Sequence, residues 1–245
     1  METSAYVDVI RANAELMVDA VRRAGPDAKV PTCPDWTVAD LARHQGRVYH
    51  WMSTILEEKA QEYVDRKPLV EQAEREDPLT WLESGAARAL DVFGRTDPDT
   101  PVWNFLGGPG PAAFWFRRMA HETIIHRVDA ESAAGAQSPV EPAEMASDGI
   151  DEFLQFLPRR AAGGETFGSV KGSYHFHTTD VPGEWVVVFG SDGVTIRREH
   201  AKADIAIRGA ASDLELFLYN RRGRDGLEIF GDEAGVDAWT EHVRF

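Results

Sequence analysis

Cysteine is nearly absent from this chain of 245 residues, in which Cys33 is the single example. One cysteine excludes an internal disulfide framework and any zinc cluster built on several cysteines. A metal ion in this protein would therefore be held by histidine and carboxylate side chains. Cys33 itself stands between two prolines, where packing as a small hydrophobic residue is favoured over a nucleophilic role.

Basic residues and long apolar runs are also scarce. The chain has 26 lysines and arginines against 41 aspartates and glutamates, a net charge of -15. This balance disfavours nucleic acid and anionic membrane surfaces as partners. No apolar run reaches the length of a membrane span, and the N-terminus lacks a basic region followed by an apolar one. We therefore expect a cytoplasmic protein whose 43% hydrophobic residues are sufficient for packed cores.

The first half of the chain has the periodicity of a helical bundle. Apolar residues recur there at steps of three and four, and turn-forming residues separate four such stretches. The second stretch begins with Thr37 and Asp40, a pairing that resembles a capping box. The extended segment Val30–Trp36 precedes it, and a turn-rich loop, Leu106–Pro111, precedes the fourth stretch. The predicted helices are Ala5–Arg23, Val38 to about Ala60, Asp77–Gly94 and Phe114–Asp129.

The composition changes after Gly135, and the small, polar segment Ala136–Pro142 is a candidate linker. We expect a helical domain over residues 1–138 and a smaller α+β domain over residues 139–245. Helical periodicity in the second domain predicts Met145–Leu157, Ser212–Tyr219 with Ser212 as its cap, and a closing helix from Asp232. Alternation at a period of two predicts the strands Tyr174–Thr178, Trp185–Phe189, Val194–Ile196, Ala203–Ile207 and Leu227–Phe230.

The predicted helix Phe114–Asp129 carries the residues of greatest chemical interest. Glu122 and His126 are four residues apart and lie on one face of this helix, separated by about 40°. His121 and His126 are five residues apart and diverge by about 140°, so the segment is not the zinc-protease signature that needs two histidines at i and i+4. The pair that can share a ligand is therefore Glu122 with His126.

His44 falls in the apolar stripe of the second predicted helix and is expected to point inward. Together, His44, Glu122 and His126 would give two imidazoles and one carboxylate on two helices. Such a set leaves coordination positions open for water or substrate, as catalytic metal sites do. Taken alone, His44 is better explained as a core histidine satisfied by a neighbour. A carboxylate beside Trp115, by contrast, needs a partner if it is buried.

Three parts of the sequence resemble the mycothiol-dependent maleylpyruvate isomerase family. They are Val30–His44 (VPTCPDWTVADLARH), His121–Asp129 (HETIIHRVD) and the tail Ser212–Asp232. The resemblance implies an N-terminal bundle of the DinB-like superfamily, a metal-binding four-helix fold found in actinobacteria. It implies for the tail a sterol-carrier-protein-like α+β domain.

The same resemblance implies a divalent metal, usually zinc, held by His44, Glu122 and His126, and mycothiol as the thiol cosubstrate. Coordination would keep a thiol sulfur deprotonated, whereas a free thiol is mostly un-ionised near pH 7. The family contains cis–trans isomerases and thiol S-transferases, which differ in whether the thiol is expelled or kept. Two alternatives remain open, a non-catalytic metal-binding or ligand-binding protein and a metal-dependent hydrolase.

Two arginines are candidate catalytic residues. The family resemblance implies an important arginine near the end of the C-terminal domain's helix, and Arg221 matches it better than Arg222. Arg221 could grip a substrate carboxylate, or it could be a solvated helix end. The usual glycine before this arginine is Asn220 here. Arg118 lies one turn before Glu122 on the same helix face.

Two other positions are open to two readings. Asp129, one turn after His126, could accept the second N–H of that ligand or form an exposed salt bridge. His175 and His177 share one face of a predicted strand, but no residue near them in sequence has ligand spacing, so surface or packing roles are favoured.

Overall fold

The computed structural model describes residues 1–138, 141–191 and 193–244. The chain forms two compact units, Met1–Ser138 and Pro139–Phe245. The first unit is mainly helical and the second combines helices with a five-stranded sheet, so the expected fold class is confirmed. None of the described helices has both the length and the apolar character that crossing a membrane requires.

Four long helices and one short helix build the first unit. Their bounds are α1 (Thr3–Ala24), α2 (Val38–Glu57), α3 (Lys67–Ala73), α4 (Pro78–Arg95) and α5 (Ala113–Ala133). The capping box is confirmed, since Thr37 and Asp40 exchange side-chain and backbone hydrogen bonds at the start of α2. Helix α3 was not predicted, because seven residues carry too little apolar periodicity.

Two hairpins complete the first unit. The strands are β1 (Lys29–Val30), β2 (Cys33–Thr37), β3 (Pro101–Asn104) and β4 (Gly108–Pro111). The extended segment Val30–Trp36 is thus largely strand β2, paired with β1. The segment Leu106–Pro111, predicted to be a loop, ends instead in strand β4. Gly107 and Gly108 have φ angles of 133° and 123°, a conformation open to glycine that lets the chain reverse between β3 and β4.

Helix α1 packs along α5, and α2 packs along α4. The second pair approaches closely at Gly46 and Gly85. A Cβ atom on Gly46 would lie 2.4 Å from the Trp81 ring, and one on Gly85 would lie 3.0 Å from the Gly46 carbonyl oxygen. Because the two helices meet backbone to backbone, these glycines fix the depth at which α2 lies in the bundle.

An arginine with no solvent exposure ties α5 to α1. Arg127 Nε donates to Asn13 Oδ1 on α1 at 2.8 Å, and Arg127 Nη1 donates to Glu131 Oε2 at 2.9 Å. Asn13 and Glu131 are also buried. Since unpaired charges are very costly in such surroundings, the pairing fixes the rotation of α5 about its axis.

The second unit is a mixed sheet with three helices. Its sheet order is β7-β6-β5-β8-β9, in which β5 and β8 are parallel and the other neighbours antiparallel. Tyr174 and Phe176 point from β5 onto Trp239 of α8, with ring centroids 5.0 and 4.8 Å away. The elements are α6 (Ala143–Ala162), β5 (Gly172–Thr178), β6 (Glu184–Gly190), β7 (Gly193–Arg197), β8 (Ile205–Gly209), α7 (Ala211–Leu218), β9 (Glu228–Gly231) and α8 (Glu233–His242).

Several predicted boundaries in this unit were wrong. Helix α6 continues through Pro158 to Ala162, and β8 begins two residues later than expected. Ser212 lies inside α7 and does not cap it; the amide of Ala211 instead donates to Asp180 Oδ1 at 2.9 Å. Residues 139 and 140 of the predicted linker, and residue 245 of the predicted closing helix, lie outside the described residues.

We expect Arg127→Met to lower the free energy of unfolding by about 3–5 kcal/mol, because it leaves the Glu131 carboxylate buried without its partner. Urea denaturation followed by circular dichroism measures the change. The matched control is Arg22→Met on α1, where the Arg22 side chain is 56% exposed and pairs with Asp19. That exposed pair should contribute about 0–1 kcal/mol. Equal losses in the two variants would contradict the role given to Arg127.

Candidate metal centre

Helices α2 and α5 bring His44, Glu122 and His126 together. The Nε2 atoms of His44 and His126 lie 3.2 and 3.4 Å from the same oxygen, Glu122 Oε1. The two imidazole centroids are 4.8 Å apart. All three side chains can present one ligand atom each within 4.8 Å of the others. The structure therefore places the three residues that the sequence singled out around one point.

The donor atoms have the separation that a tetrahedral ion needs. Zinc–nitrogen and zinc–carboxylate bonds of 2.0–2.2 Å place neighbouring ligand atoms roughly 3.3–3.6 Å apart. The two nitrogen–oxygen distances at Glu122 are close to that range. The side chains of His44 and Glu122 keep 25% and 22% of their surface exposed. The site thus combines three donors with access for a further ligand.

The buried carboxylate of Asp129 orients the ring of His126. Asp129 has no solvent exposure, which excludes an exposed salt bridge, and its Oδ2 lies 2.9 Å from His126 Nδ1. Its other oxygen accepts a hydrogen bond from Thr32 Oγ1 at 2.5 Å. Cys33 is partly exposed, and its Sγ lies 3.9 Å from Asp129 Oδ2. Asp129 therefore directs the opposite nitrogen of His126 toward Glu122.

Arginine side chains contact Glu122 and His44, the other two residues of the cluster. Arg118 Nη2 donates to Glu122 Oε2 at 3.3 Å, so one carboxylate oxygen meets the arginine while the other faces the imidazoles. Arg47 Nη2 lies 3.4 Å from His44 Nδ1. In this contact Arg47 donates a hydrogen bond to Nδ1, so the ring proton is on Nε2 and can be donated to Glu122. Binding of a cation at His44 Nε2 requires the other tautomer, with its proton on Nδ1, and therefore a shift of Arg47.

The contacts set the protonation of the cluster. Burial opposes the charged form of His126, but hydrogen bonds with Asp129 and Glu122 raise its pKa from 6.5 to about 9. Burial alone would raise the pKa of Glu122, but the contacts with His126 and His44 hold it well below its usual range. Burial lowers the pKa of His44. The cluster at neutral pH accordingly pairs a carboxylate with a protonated His126 and a neutral His44.

A tryptophan ring lies beside the imidazoles of His44 and His126. The Trp36 ring lies 4.9 Å from the His44 ring and 6.2 Å from the His126 ring, measured between centroids. Trp36 therefore lines the site. His121 is fully buried beside Tyr6, with 6.3 Å between ring centroids. The divergence of His121 from His126 along the helix follows the predicted geometry.

In the second unit, Arg221 follows a tight helix ending. Arg221 N–H donates to Leu216 O at 2.7 Å and Asn220 N–H donates to Phe217 O at 2.9 Å, which is the Schellman pattern. Asn220 has a φ of 59°, in the left-handed region. Asparagine thus keeps the turn that the usual glycine would make. The neighbouring Arg222 is paired with Asp213.

The sequence reasoning missed a second cluster, which contains His175 and His177. Glu184 and His200 join them, with one ligand atom from each of the four residues within 4.8 Å of the others. The hairpin register could have indicated Glu184, because it stands opposite His177 on the adjacent strand. His200 follows β7 and has no such sequence signal.

Comparison with protein families assigns both units. The profile of the "Mycothiol maleylpyruvate isomerase N-terminal domain" matches residues 7–131, and that of the "MDMPI C-terminal domain" matches residues 144–238. None of the curated protein sequences matches the chain. Among solved structures, the chain is similar to the mycothiol-dependent maleylpyruvate isomerase, with a TM-score of 0.67 at 14% identity over 94% of this chain and 93% of that one. A histidine-to-alanine mutant of that isomerase gives the same values. At this identity the likeness establishes a shared fold.

We expect Asp129→Asn to lower the pKa of His126 from about 9, by about 1–3 units, because the ring loses a buried opposite charge. NMR titration of the histidine ring signals in metal-free protein measures the shift. Asp91→Asn is the control, since Asp91 is an exposed residue on α4 that pairs with Arg95. An unchanged His126 titration in Asp129→Asn would contradict the assigned contact.

The same shift fixes the sign of a stability effect. His126 has a raised folded-state pKa, so its contribution to the stability of metal-free protein is complete below pH 6.5 and is lost as the pH rises through about 9. In Asp129→Asn this loss should be smaller and occur at lower pH. Denaturation series across this pH range would show it.

Proposed function

We propose that this chain, which belongs to the mycothiol maleylpyruvate isomerase family, is an enzyme with mycothiol as its thiol cosubstrate. The reaction is either a maleylpyruvate-type cis–trans isomerisation or the transfer of the thiol to a small electrophile. The observation that supports this proposal is the convergence of His44 Nε2 and His126 Nε2 on one oxygen of Glu122, at 3.2 and 3.4 Å.

The donor set fits a divalent metal ion, for which zinc is the proposed identity. Two imidazoles and one carboxylate are ligands that zinc accepts, and three protein ligands are typical of catalytic zinc sites. A zinc ion held there would supply a positive charge that keeps a thiol sulfur in its reactive, deprotonated form. His44, Glu122 and His126 are the proposed ligands.

The surrounding residues prepare these ligands. Asp129 accepts from His126 Nδ1 and leaves Nε2 as the nitrogen that faces the site. Arg118 binds Glu122 Oε2, which orients Oε1 toward the imidazoles. Arg118 is therefore proposed as a positioning residue of the reaction. The Trp36 ring packs beside the imidazoles of His44 and His126, with centroids 4.9 and 6.2 Å away.

Arg221 is the proposed group for a carboxylate on the electrophile. Its guanidinium Nη1 donates to Tyr219 O at 2.7 Å, which holds the side chain beside the helix ending. A guanidinium can bind a carboxylate with two parallel hydrogen bonds. The next residue, Arg222, is paired with the carboxylate of Asp213. Arg221 is proposed over Arg222 because it better matches the position at which the family resemblance implies this arginine.

We expect His44→Ala and Glu122→Gln each to strip the metal from purified protein, because each removes one of three donors. Metal analysis after dialysis measures the content. His50→Ala is the matched control, since His50 lies on α2 and contacts Ser84 instead of the three ligands. Retention of all metal by both ligand variants would reject the assignment.

The proposed activity is tested by thiol consumption. We expect wild-type protein to consume mycothiol, or to isomerise substrate only when mycothiol is present, in a panel of unsaturated acids, epoxides and halides. Isomerisation returns the thiol and transfer retains it, so comparing product with remaining thiol separates the two reactions. Turnover without any thiol would indicate a hydrolase, and metal binding without turnover across the panel would indicate a binding protein.

One variant in that assay examines Arg221. Arg221→Lys should raise KM for carboxylate-bearing substrates by about tenfold, because lysine cannot make the two parallel hydrogen bonds, while KM for mycothiol stays unchanged. Arg224→Lys serves as the control, since Arg224 is paired with Asp237. Equal kinetics in wild type and Arg221→Lys would remove Arg221 from the proposal.

A further inference from the structure

The second unit gathers three histidines around one carboxylate, on one face of its sheet. His175 and His177 alternate with Tyr174 and Phe176 along β5, so the histidines project to the face opposite the Trp239 core. Glu184 begins β6 directly across from His177 in the antiparallel register. Residues directly opposite each other in such a pair have Cβ atoms about 4.5–5.5 Å apart, close enough for their side chains to meet.

The fourth member comes from the loop after β7. His200 Nδ1 lies 2.6 Å from Glu184 Oε2, and His175 Nε2 lies 3.2 Å from that same oxygen. His177 Nδ1 lies 3.7 Å from Glu184 Oε1. The ring centroids of His175 are 5.9 Å from His177 and 5.3 Å from His200. Two residues of β5, one of β6 and one of the loop after β7 thus point their ligand atoms at one small volume.

The burial of the four residues is graded. The side chain of His175 is 8% exposed, those of His177 and Glu184 are 31% and 27% exposed, and that of His200 is 76% exposed. The cluster is therefore closed on the side of the sheet, at His175, and open to solvent on the side of His200. A cation can reach it from that side without a change in the core.

We propose that His175, His177, Glu184 and His200 form a second metal site, which takes a divalent first-row transition ion such as zinc. Three imidazoles and one carboxylate suit zinc, nickel, copper or cobalt, whereas magnesium and calcium prefer oxygen ligands. Four protein ligands fill a tetrahedral ion, which is the pattern of a structural site. The bound ion fixes the loop that carries His200 to the sheet.

The charges around the cluster are compatible with a bound cation. Glu184 supplies the negative charge, and uncharged imidazoles supply the other donors. Arg208 stands opposite His177 on the adjoining strand β8, but its charge is matched by Glu228 at 3.5 Å. Arg197 on β7 is likewise paired with Glu199 at 2.7 Å. No part of this inference depends on the thiol chemistry proposed for the first unit.

The test counts bound ions in full-length protein that carries no polyhistidine tag. Glu122→Gln provides the background, because it removes a ligand of the α2–α5 site. Equilibrium dialysis against zinc should give one bound ion per chain in this background. Adding Glu184→Gln or His200→Gln should weaken the remaining binding by about tenfold or more, because each removes one of four ligands. Cobalt in place of zinc reports ligand geometry through its visible absorption.

His242→Gln in the same background is the matched control, since His242 contacts Glu241 and belongs to neither cluster; it should retain the ion. Circular dichroism confirms that each variant is folded, and the exposed position of His200 makes its variant the more informative one. Two results would overturn the proposal. One is a Glu122→Gln protein that binds no ion, and the other is unchanged affinity after His200→Gln and Glu184→Gln. If the wild-type protein binds one ion and Glu122→Gln binds none, the first site is supported and the second is rejected.

Discussion

The first unit depends on how one carboxylate is held. The Glu122 side chain is largely buried, with 22% of its surface exposed, and an unpaired charge there would be costly. Its two oxygens are divided between partners: Arg118 takes Oε2, and the imidazoles of His44 and His126 share Oε1. The same division that makes the charge tolerable also leaves three donor atoms facing one point. Stability and chemistry therefore rest on the same contacts.

Holding these contacts requires that α5 be fixed in rotation. Fifteen of its residues are buried, on all of its faces, so a simple apolar stripe does not orient it. Polar pairs do so instead: Arg127 faces Asn13 and Glu131 on one side, while Asp129 faces His126 and Thr32 on another. The two proposed metal sites differ in this respect. In the second unit the pleat of β5 sets the direction of His175 and His177.

The sequence predicts the parts of this protein that local periodicity determines. The long helices, their approximate bounds, and the shared face of Glu122 and His126 all follow from repeats of three and four residues. The β3–β4 hairpin was missed because the Gly- and Pro-rich sequence of β4 has no alternating apolar pattern. Ser212 failed as a cap because α7 begins one residue earlier, at Ala211, whose amide donates to Asp180, a residue distant in sequence. The four-residue cluster was missed because it depends on the pairing of β5 with β6 and on the loop after β7. The hairpin register could have indicated Glu184, but no spacing in the sequence indicates His200.

The close approach of α2 and α4 has a consequence for how this protein can vary. His44 precedes Gly46 by two residues on α2, so any bulk added where the two backbones touch displaces the imidazole together with the helix. Metal–ligand bonds accept deviations of only about 0.2 Å, far less than a packed interface can absorb. Gly46 and Gly85 have no donor atoms, yet substitution at either one would disturb the ligand spacing of the proposed metal site.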